Sequence, residues 1–224
     1  MEFDKLQNRY KGDIAGRYDA RRVRTEKWDR EHEEISRLLS TRSGTTLADC
    51  PVGTGRFVEL YGQYGIEATG FDISQDMLDQ ARDKAAKGGV AMNFKIADIR
   101  KLPAADRTFD TVLCIRFLNW VGFEGFRQAL TELSRVAKTE LLVTVRHYAP
   151  VLELERNLTG VRRLGRQLER RVRKRFGKPG LVFHEKTQVT HTFADLGLHV
   201  MWSTCIERRE DGTDYFLYQL RKTR

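Results

Sequence analysis

Apolar and polar residues follow two different periods along this chain, and the period separates predicted strands from predicted helices. Short, dense apolar runs predict buried strands near residues 46–50, 66–71, 91–96, 109–115 and 139–146. Apolar residues spaced three and four positions apart predict helices near residues 54–64, 75–87 and 123–138. Because strands and helices alternate, the pattern indicates a parallel sheet with right-handed crossover connections.

The two ends of the chain predict different elements. Residues 6–39 have a helical pattern in two pieces that are broken near Gly12 to Gly16, and the second piece has charge on one face. A helix predicted at about 185–196 precedes two β-rich runs, 198–208 and 213–222, which flank the turn signal Asp211-Gly212. The expected fold is therefore α/β, with a doubly wound, mostly parallel seven-stranded sheet that ends in an antiparallel hairpin.

A single domain is expected from 224 residues of which 40% are apolar. Its predicted parts are an N-terminal helical cap (1–41), a core (42–147), a basic helical insertion (150–180) and a C-terminal helix with the hairpin (181–224). The chain has no apolar run of membrane-spanning length, no signal-peptide pattern and three scattered cysteines. These features predict a cytoplasmic location.

A glycine turn follows the first predicted strand, which ends at an acidic residue. Asp49 ends that strand, and Gly53 and Gly55 follow before the next helical pattern begins. Glycine allows the backbone to approach a ligand closely. Two more acidic residues, Asp72 and Asp98, come at the ends of the second and third predicted strands. Three acidic strand ends indicate an adenosine-like ligand lying across the carboxyl edge of the sheet.

Other glycine loops fit this turn poorly. A dinucleotide-binding loop has the pattern G-x-G-x-x-G, and counting from Gly53 places the bulky Val58 at its third glycine. The phosphate-binding pattern G-x-x-x-x-G-K-[ST] does not occur in the sequence. A plain turn between a strand and a helix remains an alternative for the glycine pair taken alone, and each acidic residue could be a strand end or a helix cap.

Four segments resemble the motifs of one family, the class I, Rossmann-like S-adenosyl-L-methionine-dependent methyltransferases. Asp49 to Gly55 (DCPVGTG) resembles their first motif, an acidic residue and Gly-x-Gly-x-Gly, with Pro51 in the first glycine position. Gly70 to Ser74 (GFDIS) and Ile96 to Ile99 (IADI) resemble the second and third motifs. Phe109 to Ile115 (FDTVLCI) resembles the fourth strand.

The resemblance implies a cofactor, S-adenosyl-L-methionine, and a set of residues that bind it. Asp72 would bind the ribose diol, and Asp49 would orient the amino-acid end of the cofactor. Asp98 and the N–H of Ile99 would address the adenine edge. The complete cofactor-binding set is Asp49, Gly53, Gly55, Asp72, Asp98 and Ile99.

Residues of the acceptor side are expected after the fourth strand, where the resembled enzymes place substrate contacts. The candidates are Arg116, Asn119 and Trp120. Arg116 would bind a carboxylate or phosphate, or else form a structural salt bridge, and Trp120 would contact the acceptor or pack in the core. His147 and His184 are candidate general bases because imidazole titrates near neutral pH; a polar surface or capping role is the alternative. No metal-like spacing occurs, so no metal is expected.

The positive charge of the chain is concentrated in one segment. The chain has a net charge of +9, and residues 156–178 contain ten basic residues and one acidic residue. This segment has a narrow apolar stripe, so it could be a solvated helix packed on the body of the protein. In the resembled fold it would lie over the substrate entrance as a lid. Contacts with nucleic acid or with an anionic membrane surface are further alternatives.

Three functions are compatible with the sequence. The first is methyl transfer from S-adenosylmethionine to O or N of a small or medium-sized acceptor, which could be an anionic metabolite or a lipid-linked sugar. The second is RNA methylation with residues 156–178 on the phosphates. The third is a non-catalytic S-adenosylmethionine-binding module that docks an acidic partner. The run Cys114 to Leu118 lacks the Asn/Asp-Pro-Pro-aromatic pattern of base-amine methylating enzymes.

Overall fold

A computed structural model describes residues 25–148, 182–209 and 212–223. The first part of the predicted N-terminal helical cap, up to residue 24, lies outside the described residues. The basic segment 156–178 lies outside them as well, so the four interpretations of that segment stay predictions.

Five helices and eight strands make up the described part of the chain. The helices are α1 (Glu26–Leu39), α2 (Val58–Gln63), α3 (Gln75–Lys87), α4 (Phe123–Val136) and α5 (Lys186–Asp195). The strands are β1 (Thr46–Asp49), β2 (Glu67–Asp72), β3 (Asn93–Ile96), β4 (Phe109–Cys114), β5 (Ala137–Tyr148), β6 (His184–Glu185), β7 (Leu198–Glu207) and β8 (Thr213–Lys222). A short 3₁₀ helix, Leu118–Trp120, follows β4.

The strands form one sheet with the order β3-β2-β1-β4-β5-β8-β7, and β6 pairs with the end of β5. Strands β1 to β5 are parallel, whereas β8 is antiparallel to both β5 and β7. The predicted fold class is confirmed, and the two-residue strand β6 is an addition that the sequence pattern did not predict. Chain order reverses between β1 and β4, and ligands of open α/β sheets bind at the carboxyl edge beside such a reversal.

Local sequence signals explain where two helices begin. The Ser74 side chain accepts a hydrogen bond from the N–H of Met77 at 3.4 Å, and Gly88 ends α3, so this helix has the predicted bounds 75–87. The Thr25 side chain caps α1 by accepting from the N–H of Trp28 at 3.3 Å. Among the helices of the described ranges, none is long and apolar enough to cross a membrane.

A hydrophobic core lies on each face of the sheet. One core joins β5 through Val143 and Val145 to α4 and α5, and the other joins it through Leu142 to α1 and α2. Successive side chains of a strand point to opposite faces. Arg146 therefore points to the α1 face of β5, and His147 points to the α4 and α5 face. This alternation decides which side chains meet at the carboxyl edge.

Candidate active site

The three acidic strand ends come together at the carboxyl edge, and Asp72 connects the chain segments around it. The N–H of Gly53, in the turn after β1, donates to the Asp72 carboxylate at 3.0 Å. The N–H of Ala97, directly after β3, donates to the Asp72 carbonyl at 2.9 Å. The segments that follow β1 and β3 are thus both hydrogen-bonded to the last residue of β2.

The two glycines of the turn have different surroundings. Both have positive φ, +56° at Gly53 and +73° at Gly55, a region that side chains with a Cβ rarely adopt. A Cβ on Gly55 would lie 3.0 Å from the Cα of Ala81 in α3, so this glycine permits close packing of helix and turn. A Cβ on Gly53 would have no atom within 4 Å, so the backbone there borders open space. The peptide bond between Cys50 and Pro51 in the same turn is cis.

Asp49 is a buried carboxyl group that has no basic residue beside it in the described structure. Its side chain accepts a hydrogen bond from the Tyr61 hydroxyl at 2.7 Å, and the residue is only 3% exposed. Burial raises the pKa of Asp49 to about 7, and the charge of Asp72 adds to the increase. A cationic ligand beside this carboxyl would favour its charged form. The sequence analysis did not identify Tyr61, which lies on the buried face of α2.

Asp72 is likewise buried, and backbone N–H groups hold its orientation. Its second carboxylate oxygen accepts from the N–H of Ser74 at 2.9 Å. Burial raises the pKa of Asp72 to about 6, although the hydrogen bonds from Ser74 and Gly53 favour the charged form. A carboxylate with fixed orientation at this position suits recognition of a ligand hydroxyl pair.

Asp98 differs from the other two acidic residues because it already has a cationic partner. The Arg100 Nη2 lies 2.5 Å from the carboxylate, and the Arg100 Nε and backbone N–H also donate to it. Burial opposes ionisation of Asp98, but the hydrogen bonds from Arg100 outweigh it and lower the pKa. Ile99 is buried beside it. The adenine roles of Asp98 and Ile99 stay predictions.

The residues predicted for the acceptor side take up three different positions. Arg116 has a φ of +62°, and its guanidinium Nε donates to the buried Glu31 at 2.7 Å, so the ion-pair interpretation describes the structure. The Asn119 side-chain oxygen accepts from the N–H of Arg146 at 3.1 Å, while its buried Nδ2 has no partner within the described ranges. Trp120 is partly buried against the core on the α4 face.

The two candidate bases are buried neighbours across β5 and β6. The His147 Nε2 lies 2.7 Å from the Tyr218 hydroxyl, and burial lowers the pKa of His147 to about 4. The His184 Nε2 donates to the Leu118 carbonyl at 2.8 Å, and burial lowers the pKa of His184 as well. Only the Nδ1 of His184 can then accept a proton. Catalysis by either histidine stays a prediction.

On the α1 face, Arg116 meets charged residues that the sequence analysis did not single out. Glu31 of α1 is fully buried and pairs with Arg56 and Arg116. Glu207 pairs with Lys27 at 3.1 Å and with Arg146 at 2.7 Å. We call these six residues the cationic cluster: Lys27, Glu31, Arg56, Arg116, Arg146 and Glu207.

Tyr215 of β8 connects the two halves of the cationic cluster. Its hydroxyl donates to Glu31 at 2.6 Å. Lys27 and Arg146 lie over its ring, 4.4 and 4.8 Å from the centroid. The sequence signal for these contacts is weak because the partners are far apart along the chain; Glu31 and Tyr215 are 184 positions apart.

The described residues contain no metal-binding site. Within residues 25–148, 182–209 and 212–223, no group of three or more His, Cys, Asp and Glu side chains could hold a metal ion. Cys50 and Cys114 are buried thiols whose pKa values are raised by burial. Neither thiol is therefore activated as a nucleophile.

The parallel sheet has a glycine turn after β1 and buried acidic residues at the ends of β1 and β2. Together these features define a Rossmann-like nucleoside-binding domain. Residues 48–143 match the family model described as a methyltransferase domain. Over this segment the chain is similar to the class I, Rossmann-like S-adenosylmethionine-dependent methyltransferases. The cofactor of this family is S-adenosylmethionine.

Two curated relatives show the range of proteins that this segment resembles. A malonyl-[acyl-carrier protein] O-methyltransferase of Salmonella typhimurium is 35% identical over 101 residues, which are 45% of this chain and 38% of that protein. A phosphatidylethanolamine N-methyltransferase of Cereibacter sphaeroides is 36% identical over 114 residues, 50% of this chain and 54% of that protein. The chain therefore matches about two fifths to one half of the length of these relatives.

A solved structure supports the fold over almost the whole chain. The magnesium protoporphyrin IX methyltransferase of Synechocystis was solved with bound SAH and matches this chain with a TM-score of 0.72. The match covers 99% of this chain and 100% of the Synechocystis chain. Its sequence identity is 15%, so the comparison concerns the fold.

Proposed function

We propose that this chain transfers the methyl group of S-adenosylmethionine to an O or N atom of a small or medium-sized acceptor. The observation that carries the proposal is the pair of buried carboxyl groups, Asp49 and Asp72, at adjacent strand ends beside the open turn at Gly53. The match of residues 48–143 to a methyltransferase domain supports the reaction. The names of the two curated relatives, an O-methyltransferase and an N-methyltransferase, support the atom types.

The cofactor fits the chemistry of the residues at this edge. Asp49 has no cationic partner among the described residues, and the ammonium group of the cofactor's amino-acid end would provide one, directly or through water. Asp72, held by Gly53 and Ser74, would accept hydrogen bonds from the ribose hydroxyls. The open space at Gly53 leaves room for a ligand against the backbone. When bound, the cofactor supplies a methyl group that is already activated by its sulfonium.

The protein's contribution is mainly positioning. Holding two reactants in register can contribute about 7–11 kcal/mol to a reaction of this kind. The β4 end is rigid for this purpose, because the N–H of Arg116 donates to the Thr144 hydroxyl at 2.7 Å and Asn119 bonds the backbone of β5. An acceptor that arrives as an alcohol or ammonium would also need a base, for which His147 and the Nδ1 of His184 are the candidates.

Calorimetry with S-adenosylmethionine tests the cofactor site. Asp72→Ala should abolish measurable binding, because it removes the hydroxyl acceptor and leaves the Gly53 turn without its partner. Asp110→Asn is a matched control, since Asp110 lies at the amino end of β4 and accepts from Thr46. Equal affinity in the wild type and Asp72→Ala would refute the role of Asp72.

Methyl transfer itself needs a second experiment. Purified protein with methyl-labelled S-adenosylmethionine should label an acceptor in a small-molecule extract. Cofactor binding without any labelled acceptor, including RNA, would favour the non-catalytic module instead. Labelled RNA with salt-sensitive binding would favour the RNA methyltransferase, whose proposed contacts, residues 156–178, lie outside the described residues.

A further inference from the structure

The outer part of the cationic cluster, Arg146 and Glu207, lies on the half of the carboxyl edge away from the three acidic strand ends. Asp49, Asp72 and Asp98 mark the ends of β1, β2 and β3, on one side of the chain reversal. Arg146 and Glu207 belong to β5 and β7, on the other side. The carboxyl edge of the sheet therefore presents carboxyl groups on the side proposed for the cofactor and cations on the side that is left for the methyl acceptor.

Strand register brings the outer part of the cluster into one row. Tyr215 is the Cα partner of both Arg146 in β5 and Glu207 in β7. Cross-strand partners point to the same face of a sheet, and here α1 covers that face with Lys27 and Glu31. The row is thus built from three strands and a helix, which fix its geometry.

The cluster contains more positive than negative charge. Four cations, Lys27, Arg56, Arg116 and Arg146, share two carboxylates, which leaves a formal excess of two positive charges. Glu31 cannot compensate further, because one of its oxygens accepts from both arginines and the other from Tyr215. Excess charge away from water is costly unless a counter-charge is present.

Two guanidinium groups also have unused donors. The Nη1 of Arg146 and the Nε of Arg56 are buried and have no hydrogen-bond partner in the described part of the chain. Arg146 as a whole is only 7% exposed. Buried N–H groups are almost always paired in folded proteins, so these donors indicate an acceptor group that binds there.

Exposure within the cluster indicates the direction of entry. The side chains of Lys27 and Glu207 are 25% and 30% exposed, whereas Arg146 beside them is buried. Burial and the charge of Arg146 lower the pKa of Lys27 to about 8. An anion at Lys27 would reverse that effect, because an opposite charge favours the protonated amine.

We propose that the cationic cluster is the subsite for an anionic group of the methyl acceptor, a carboxylate or a phosphate held between Arg146 and Lys27. The inference rests on the proposed methyl transfer and specifies the class of acceptor. Arginine suits this task because its planar group donates two parallel hydrogen bonds to a carboxylate or phosphate. Lysine adds a point charge at the more exposed side.

Calorimetry with inorganic phosphate and, in parallel, acetate tests the subsite at constant ionic strength. Wild type should bind at least one of the two anions saturably, and the preferred one distinguishes a phosphate-bearing from a carboxylate-bearing acceptor. R146Q should weaken that binding at least tenfold, and K27M several-fold. R135Q is the matched control, because Arg135 pairs with Glu132 and Asp106 on the opposite face and should leave binding unchanged.

A variant that is expected to increase anion affinity guards the test against misfolding, because a misfolded protein would lose affinity. E207Q removes a carboxylate that competes with the anion, so it should strengthen anion binding several-fold. Anion binding that is absent in wild type, survives both R146Q and K27M, or falls in E207Q would overturn the inference.

S-adenosylmethionine binding on the same samples separates this inference from the proposed function. R146Q and K27M should bind the cofactor as wild type does. Wild type that binds cofactor but neither anion would overturn the subsite and leave the methyltransferase proposal standing. The converse result would support the subsite and refute the cofactor site.

Discussion

Replacing Asp49 by asparagine should stabilise the protein without its cofactor while weakening cofactor binding. The carboxyl group of Asp49 has an ordinary pKa of 3.8, which burial raises to about 7 in the folded protein. One pKa unit corresponds to about 1.4 kcal/mol, so ionising this group in the folded state costs up to about 4 kcal/mol. Asparagine avoids that cost, and its amide oxygen can still accept from Tyr61.

The stability difference between the wild type and Asp49→Asn should increase as the pH rises. Between about pH 4 and pH 7 the folded protein keeps the proton on Asp49, whereas the unfolded chain has lost it. The free energy of unfolding of the wild type therefore falls as the pH rises through this range, and the whole cost is present above pH 7. The asparagine variant lacks this contribution, so the stability difference should be near its maximum at pH 8 and small at pH 4.

Urea denaturation of wild type and Asp49→Asn at pH 5 and pH 8, both without cofactor, measures the effect. Calorimetry with S-adenosylmethionine should show at least a tenfold loss of affinity in the same variant. Asp110→Asn is the control with the opposite sign: hydrogen bonds from the Thr46 backbone and side chain help to lower the pKa of Asp110, so its replacement should destabilise the protein at pH 8. A variant Asp49→Asn that is less stable at pH 8 and binds cofactor normally would refute the reasoning.

Three further predictions concern the turn, the cluster and a histidine. Gly55→Ala should lower the free energy of unfolding by about 1–2 kcal/mol because of its positive φ and by about 1–3 kcal/mol more because of crowding against α3. Gly53→Ala should lose only the contribution from the positive φ. Chemical denaturation of the two variants separates the two contributions. Glu31→Gln should lower the free energy of unfolding by about 3–5 kcal/mol, because it leaves two partly buried arginines without their buried counter-charge. Glu34→Gln, which removes an exposed pair on α1, should lower it by only about 0–1 kcal/mol; equal losses would contradict the pairing with the buried Glu31. The imidazole of His147 should stay neutral down to about pH 4, and an NMR titration with a midpoint near 6.5 would argue against its burial.

The arrangement of β1, β2 and the glycine turn could be predicted because its signals are local in the sequence. Strand, acidic residue, glycine turn and helix follow one another within a few positions, and parallel strand ends necessarily meet at one edge. The helix predicted at 75–87 has those bounds, since Ser74 caps it and Gly88 ends it. The helix predicted from residue 54 begins instead at Val58, because Gly55 takes a positive φ and interrupts the helical backbone.

The contacts of the cationic cluster could not be predicted, because they join residues far apart in the chain. Arg116 had two possible partners in the sequence analysis, an anionic ligand or a salt bridge, and only the fold places Glu31 beside it. Likewise, β5 extends beyond its predicted end at residue 146 because antiparallel pairing with β8 runs from Glu140 to Tyr148. The strand β6 depends on the same extension and had no sequence signal of its own.

The position of β8 has a consequence for how this sheet is assembled during synthesis. β8 lies between β5 and β7, although it is made after both. Until residues 213–222 leave the ribosome, β5 keeps an unpaired edge along most of its length, and β7 has no paired strand among the described residues. Open strand edges are templates for association between chains. A nascent or truncated chain that stops before Thr213 would therefore hold every residue that bonds Asp72 and would still expose an edge prone to aggregation.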